Sequence, residues 1–148
     1  MTQRAVAITL KIPDNAAYTA LTTLQRLGLP VARVERSEIW VVEDSGGAED
    51  FAARMERNET IFNGNKHRLT VLDAAAPRAG ETWIEEIGAH DEVREHLGGK
   101  AIPGIAKPRR YTGWRLLGND GRPADADLLR EAAARLLCNP AIEKAHIA

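Results

Sequence analysis

The sequence has little cysteine and no long apolar run. Its 148 residues include 1 cysteine, so an internal disulfide framework is excluded, and no group of Cys and His residues has the spacing of zinc ligands. Every apolar run is shorter than the roughly 18 residues of a membrane-spanning helix. The start, Met1 to Arg4, leads into an alternating segment and lacks the apolar core of a signal peptide. These absences predict a cytoplasmic protein with no membrane partner.

The chain also lacks an excess of charge of either sign. Its formal net charge is -1 and its pI is near 6.4, so nothing draws the whole molecule to nucleic acid. No nucleic-acid partner is expected on this ground. With 44% hydrophobic and 28% charged residues, the composition is that of a globular, core-forming protein.

The first part of the chain begins with a strand and a helix. From Val6 to Ile12 the large apolar residues occupy alternate positions, with Ala7, Thr9 and Lys11 on the other face, which predicts a half-buried strand. Asp14 or Asn15 then caps a helix with one apolar stripe, and Gly28 provides its left-handed exit.

A second group of elements follows before residue 75. Val31 to Glu43 is rich in β-branched residues, and its polar centre, Glu35 to Glu38, predicts a hairpin turn between two strands. The next predicted elements are a helix that starts at Glu49 and Asp50, with Phe51, Ala52 and Met55 on its buried side, and a strand from Arg68 to Leu72.

The rest of the chain repeats this kind of pattern less regularly. Ala74 to Gly80 is rich in small residues and is interpreted as a linker. The predicted elements after it are a strand Thr82–Ile87, a short helix Asp91–Leu97, a long connection Gly98–Pro108, a strand or hairpin Arg109–Leu117, a helix Asp125–Cys138 that stops at Asn139-Pro140, and a strand Ile142–Ile147.

This order predicts an α+β protein made of two ferredoxin-like βαββαβ modules in tandem, residues 1–75 and 76–148. Each would have an antiparallel sheet with helices on one face, because each helix has a single apolar stripe to bury. A module of this size buries only a modest core. The two are therefore expected to pack together or to share one continuous sheet.

Two segments resemble the PurS family, the small subunit of the multi-subunit phosphoribosylformylglycinamidine synthase. Leu136 to Glu143, Leu-Leu-Cys-Asn-Pro-Ala-Ile-Glu, is similar to the end of the family's helix and its last strand, Leu-Leu-Ala-Asn-Pro-Val-Ile-Glu. Val31 to Ile39, after the turn Leu27-Gly28-Leu29, looks like the family's hairpin. Family members usually have one module per chain and associate through their sheets, so a tandem chain would resemble an internal dimer.

The resemblance implies an accessory subunit of a ligase complex in purine biosynthesis. In the family, the small subunit bridges a synthetase subunit that uses ATP and a glutaminase subunit that frees ammonia. Those two subunits are therefore the implied partners, and self-association into a homo-oligomer is also implied. The family's pattern contains no catalytic residue, so none is carried over to this chain.

The residues themselves also give little support to catalysis. Gly98-Gly99-Lys100 lacks the spacing of a phosphate-binding loop, and the six-residue gap between His90 and His96 does not bring two imidazoles to one helix face. Cys138 is expected in the last turn of a helix, where the helix dipole disfavours a thiolate, so it is interpreted as a packing residue. No catalytic, cofactor-binding or metal-binding residue is predicted.

One stretch remains a candidate contact for a partner or an anion, because no acidic residue lies between Glu95 and Asp120. Its cations are Lys100, Lys107, Arg109, Arg110 and Arg115, beside Tyr111 and Trp114. The alternative is a solvated loop whose charge is balanced by Glu81, Glu85 and Glu86. Trp40, Trp83 and Trp114 are interpreted as core or module-interface residues.

Two other functions stay open at this point. Paired ferredoxin-like units also form small-molecule-sensing modules of the ACT type, and saturable binding of an amino acid or nucleotide would favour that role. An unrelated enzyme with its site in the basic stretch is the third hypothesis, and loss of turnover on replacing Arg109 and Arg110 by alanine would be its signature.

Overall fold

The computed structural model describes residues 1–88 and 101–148. The predicted helix Asp91–Leu97, His90, His96 and the segment Gly98 to Lys100 lie outside these residues. The strands are β1 (Thr2–Leu10), β2 (Arg33–Asp44), β3 (His67–Val71), β4 (Glu81–Glu86), β5 (Ile105–Leu117) and β6 (Glu143–Ile147). The helices are α1 (Asn15–Arg26), α2 (Phe51–Glu56) and α3 (Ala126–Ala132), and Ala133–Leu137 continues α3 as a π-helical turn.

The six strands form one sheet in the order β3-β1-β2-β5-β4-β6. Strand β1 pairs antiparallel with β2 and β3, and β4 pairs antiparallel with β5 and β6. Two backbone hydrogen bonds set the direction of the central pair: Ala32 N donates to Leu117 O at 2.8 Å, and Ser45 N donates to Gly104 O at 2.9 Å. Since one strand rises in number as the other falls, β2 and β5 are also antiparallel. The chain is thus α+β with a single antiparallel sheet.

The first two elements are a strand and a helix, as predicted, but the strand is more deeply buried than expected. Asp14 caps α1, with its carboxylate accepting from Ala16 N and Ala17 N, and Gly28 follows the helix with φ 83°. Strand β1 ends at Leu10, and Ala5 to Ile8 are all buried, so the prediction of a half-buried strand is wrong there. The alternate residues Ala5 and Ala7 are small and apolar, and they suit a strand that is covered on both faces.

The predicted hairpin between Val31 and Glu43 is wrong, because β2 runs unbroken from Arg33 to Asp44. The polar residues in its centre are accommodated by side-chain partners. Arg36 Nε lies 2.9 Å from Asp14 Oδ2, and Glu35 Oε1 lies 3.1 Å from Arg33 Nη2. Ser37 is buried. The polar segment Glu35 to Glu38 can therefore remain part of the strand, because nearby side chains pair with its charged groups.

The second half also departs from its predicted boundaries. Strand β5 begins at Ile105, inside the segment interpreted as a connection, and it is one strand without a hairpin. The helix predicted over Asp125–Cys138 is α-helical only to Ala132, and Cys138 N then donates to Ala133 O at 2.9 Å, a five-residue step. Strands β3, β4 and β6 and helix α2 lie within one or two residues of their predicted positions.

The chain divides into two compact units. Unit 1 comprises residues 1–12, 38–75 and 88–110. Its core contains Trp40 and Phe51, each 1% exposed, and Met55, which is fully buried. The other buried members of this cluster are Val6, Ile8, Val42, Ile61 and Ile102.

Unit 2 comprises residues 13–37, 76–87 and 111–148. Its core joins α1 to α3 through Leu24 and Leu129, which are 0% and 1% exposed, and Leu116 of β5. The remaining buried members are Ala20, Leu29, Val31, Ala132 and Leu137. The sequence modules 1–75 and 76–148 stay a prediction, since each compact unit draws residues from both halves of the chain.

No helix in the described ranges, 1–88 and 101–148, combines the length and apolar content needed to cross a membrane.

Candidate functional site

The described basic residues lie along β5: Arg109, Arg110 and Arg115 within the segment predicted as a strand or hairpin, and Lys107 in the segment predicted as a connection. Lys107 and Arg109 are exposed, and Arg110 is half-buried, in the first half of this strand. Arg115 is in its second half, and Lys100 lies outside the described residues. Lys107 has a left-handed backbone with φ 49°, which a residue with a Cβ rarely adopts. Lys107, Arg109 and Arg110 therefore belong to unit 1, whereas Arg115 belongs to unit 2.

Among the described residues, two cations of this stretch lie near acids other than Glu81, Glu85 and Glu86. Lys107 Nζ lies 3.7 Å from Glu43 Oε2, and Arg115 Nη1 lies 3.9 Å from Glu35 Oε2. Glu81 is paired with Arg78, so it is not available to the basic stretch. Arg109 and Arg110 form no ion pair with a described residue. Within residues 1–88 and 101–148, no acid compensates the charge of these two arginines.

A buried ionic cluster in unit 1 was not predicted from the sequence. Both carboxylate oxygens of Asp44 accept from Arg54, at 2.7 and 2.8 Å, and Arg4 Nε donates to the same carboxylate at 2.9 Å. Gly46 N donates to Asp44 Oδ1 at 2.9 Å. The hydrogen bonds from Arg54 are the main reason that the pKa of Asp44 lies well below its ordinary value, despite burial, which acts in the opposite direction.

Arg54 uses its remaining donors to hold two backbone segments. Its guanidinium donates to Gly47 O and Pro103 O, each at 2.9 Å, and its Nε donates to Asp50 Oδ1 at 3.0 Å. The carboxylates of Asp44 and then Asp50 hold the pKa of Arg54 above its ordinary value, although burial acts in the opposite direction. Every strong donor of Arg54 has an acceptor, so this cluster fixes loops and leaves no group to act on a ligand.

Unit 2 contains a second buried carboxylate, Glu81, which is 0% exposed. Arg78 donates to it from its backbone N at 3.0 Å and from Nη2 at 2.7 Å, and Trp83 Nε1 donates at 2.8 Å. Burial alone would raise the pKa of Glu81, but these donors outweigh it, and the pKa lies below its ordinary value. The cluster ties the segment before β4 to the strand.

Beside it, an aromatic and acidic group joins β4, β5 and β6. His146 Nε2 lies 2.8 Å from Glu85 Oε2, and the Tyr111 ring meets His146 edge-on with centroids 5.6 Å apart. The rings of Trp83 and Tyr111 have centroids 5.3 Å apart. An oriented imidazole is a group that general-base chemistry uses, but no serine, threonine or cysteine side chain is hydrogen-bonded to His146 among the described residues.

Unit 2 also contains an open groove of about 430 Å³ between α1 and the π-helical turn. Trp114 forms part of its wall, and Leu136, 39% exposed, and Leu137 stand opposite α1. The α1 side is lined by Asn15, Ala16, Thr19, Ala20 and Thr23. All of these side chains are uncharged.

The tryptophans and the cysteine are placed partly as predicted. Trp40 and Trp83 are buried, while Trp114 is half-buried and packs against the core of unit 2. Cys138 is half-buried just after the π-helical turn. Burial, and then the nearby Glu143, raises the pKa of its thiol, which disfavours the reactive thiolate.

The sequence signals for these features are unequal. Nothing in the pattern pairs Asp44 with Arg54 or Glu81 with Arg78, because those contacts depend on tertiary packing. The stripe of small residues on α1, Ala16, Ala20 and Thr23, is a signal from which the groove is recognisable afterwards. Within the described residues, no three His, Cys, Asp or Glu side chains form a group that would hold a metal ion.

Comparison with known proteins adds no assignment, since no protein-family model and no curated protein matches the chain.

Proposed function

We propose that this chain is a non-catalytic accessory subunit of glutamine-dependent phosphoribosylformylglycinamidine synthase, in which it bridges the synthetase and glutaminase subunits. Leu136–Glu143 and Val31–Ile39 resemble the PurS family, whose members have this role. The observation that carries it furthest is the sheet order β3-β1-β2-β5-β4-β6. If β1, β2 and β3 correspond to β4, β5 and β6 in turn, the strands follow one another in the same order when the sheet is read inward from either edge: third, first and second.

Such an order is what an internal dimer of two related modules would have. The first strands, β1 and β4, each lie between two partners, and the second strands, β2 and β5, pair antiparallel at the centre. The third strands, β3 and β6, form the two edges. We therefore propose two ferredoxin-like modules in tandem, modified so that one long strand, β2 or β5, stands where a hairpin was expected.

The residues that carry the family resemblance also have a defined structural role here. Asn139 N donates to Glu143 Oε1 at 2.8 Å, and Glu143 N donates back to Asn139 O at 2.7 Å. The Asn139 side chain accepts from Ala141 N at 3.1 Å, and Ile142 O accepts from Ile87 N at 2.8 Å. Asn139 and Glu143 thus close the turn that delivers β6 to β4, which supports a shared module architecture.

A scaffold role also agrees with how the described ionisable groups are used. The buried carboxylates of Asp44 and Glu81 are fully engaged by arginines of the same chain. Arg109 and Arg110, by contrast, are outside any ion pair among the described residues and are free to meet an acidic partner surface. We propose that these two arginines contribute to the contact with a partner subunit.

The experiment measures glutamine-dependent formation of the amidine product by purified synthetase and glutaminase subunits from the same organism, with and without this chain. We expect product only when the chain is present, and co-elution of the three proteins. Absence of both effects would overturn the accessory role.

A pair of charge-reversed variants then tests the contact. Arg109→Glu with Arg110→Glu should weaken activation at least about tenfold, because it places like charges against the partner surface. Arg122→Glu with Arg130→Glu is the matched control, since both arginines are exposed, with side chains 85% and 64% accessible. Equal losses in both pairs, or none in the first, would reject this contact and leave the accessory role standing.

A further inference from the structure

The groove in unit 2 has a feature that ordinary helix packing does not require. Its wall contains Leu136 and Leu137, which belong to the π-helical turn Ala133–Leu137. A π-helical turn replaces a standard helical hydrogen bond with a poorer one, and such turns are found frequently at functional sites. Here the irregular turn supplies one apolar side of a groove whose other side is the regular helix α1.

The chemistry of the lining limits what the groove would bind. No lining side chain carries a charge, so a zwitterionic amino acid or a nucleotide phosphate would lose hydration without gaining an ion pair. Apolar groups of Ala16, Ala20, Leu136 and Leu137 dominate the surface. The volume of about 430 Å³ is within the range of roughly 300–1,000 Å³ that small-molecule sites occupy.

The groove is not a simple apolar patch, because Asn15, Thr19, Thr23 and the indole of Trp114 bring uncharged polar groups to its lining. The indole N–H of Trp40 donates to Glu38 Oε1 at 3.0 Å, and that of Trp83 donates to Glu81 Oε1 at 2.8 Å. The indole N–H of Trp114 forms no hydrogen bond with a described residue. Because Trp114 lines the groove and its indole N–H has no acceptor among the described residues, we take this N–H as the donor that a ligand in the groove would use.

We propose that this groove is a binding site for a small, uncharged, mostly apolar molecule that carries a hydrogen-bond acceptor for the indole N–H of Trp114. This site is separate from the accessory role and from the arginines Arg109 and Arg110. Because residues of this chain alone line the groove, the chain should bind such a molecule without any partner subunit.

The test uses quinoline, an uncharged bicyclic acceptor at pH 7.5, and naphthalene, its isostere without the ring nitrogen. The full chain, labelled with ¹⁵N, is titrated with each probe while the three indole N–H signals are followed by NMR. We expect saturable movement of the Trp114 signal by quinoline, with a dissociation constant on the order of 0.1–1 mM, and no movement of the Trp40 and Trp83 signals. Naphthalene should bind about two- to tenfold more weakly.

Variants separate a specific site from general stickiness. Ala16→Phe should fill the groove and abolish binding, whereas Ala134→Phe adds the same ring at an exposed position that does not line it. In Trp114→Phe, the advantage of quinoline over naphthalene, read from the amide signals of Thr19 and Leu137, should disappear. Thermal unfolding of each variant checks that it is folded.

Three results would overturn the proposal. The first is a Trp114 signal that stays fixed up to the solubility limit of quinoline. The second is equal movement of all three indole signals, and the third is unchanged binding to Ala16→Phe. Loss of synthase activation in Ala16→Phe without any probe binding to the parent chain would instead identify the groove as a protein contact.

Discussion

At the scale of single residues, the molecule uses its buried charges to hold backbone. The Asp44 carboxylate accepts hydrogen bonds from Arg54, Arg4 and the Gly46 amide. Arg54 also donates to two backbone carbonyls. A buried ion pair of this kind adds little over an apolar pair of the same size, but removal of one partner leaves the other charge uncompensated. The chain is therefore expected to tolerate changes at exposed charges far better than changes at Asp44.

Replacement of this carboxylate tests the point. Asp44→Asn should lower the free energy of unfolding by about 3 kcal/mol at pH 7, because Arg54 and Arg4 lose their counterion in a buried setting. The pKa of Asp44 is lowered by folding from an ordinary value of 3.8, so its stabilisation is present above that pH and is lost as the pH falls further. The difference between the two proteins, measured by urea denaturation, should be constant from about pH 5 to 8 and shrink below about pH 4.

Asp127→Asn serves as the control, since Asp127 is paired with Arg130 at 2.7 Å but has a side chain that is 93% accessible. Its effect should be less than about 1 kcal/mol. A difference between Asp44→Asn and the parent that grows on acidification would contradict the assigned direction of the pKa.

Lys107 gives a second prediction at this scale. Its φ of 49° places a Cβ in a left-handed conformation that costs roughly 1 kcal/mol, and glycine avoids this cost. Lys107→Gly should therefore be more stable than Lys107→Ala by about 1 kcal/mol in chemical denaturation. Both variants lose the contact with Glu43, so their comparison isolates the backbone. A less stable glycine variant would show that the left-handed conformation is not populated in solution.

At the scale of elements, β2 and α3 show what periodicity can and cannot indicate. The alternation and the caps in the sequence correctly located α1, α2 and strands β3, β4 and β6. The hairpin prediction was wrong because the charge of Arg36 is satisfied by Asp14, which lies 22 positions away and is not identified by local sequence. The prediction of a continuous helix over Asp125–Cys138 missed the π-helical turn for a related reason, since the altered hydrogen bond of this turn depends on packing against the rest of unit 2.

The turn between the π-helical turn and β6 gives a prediction for an element. Asn139→Ala removes the side-chain acceptor of Ala141 N and should lower the free energy of unfolding by about 1 kcal/mol. Asn119→Ala is the matched control, because Asn119 is exposed and its side chain bonds to no described residue. The control should change stability by less than about 0.5 kcal/mol in the same urea denaturation. Equal effects would mean that the Asn139 turn does not stabilise the chain.

At the scale of the whole molecule, composition and element order predicted the α+β class and the antiparallel pairing, and the single sheet was one of two arrangements they left open. The composition of the two compact units could not be predicted from the sequence, because each unit combines segments that are far apart in the chain. The candidate site was predicted in the same partial way. Arg109 and Arg110 were named from a charge pattern, whereas the groove required knowledge of which helix faces Trp114.

The composition of the units predicts the behaviour of fragments. A chain of residues 1–75 contains β1, β2 and β3 but lacks residues 88–110 of unit 1 and most of unit 2. It should not fold as a monomer, and a mixture with residues 76–148 should regain the circular dichroism spectrum of the full chain. Analytical ultracentrifugation and circular dichroism of each fragment and of the mixture make the measurement. A stable folded monomer of residues 1–75 would contradict this prediction.

The interleaved units have a consequence for folding during synthesis. Unit 1 lacks its last segment until the ribosome has passed residue 110, and unit 2 lacks β6 until it has passed residue 147. Until β5 emerges, β2 has no neighbour on one side, and an unpaired strand edge is a template for aggregation. The nascent chain therefore spends most of its translation as an incomplete sheet, and its yield in a cell should depend on elongation rate and on chaperones that shield β2.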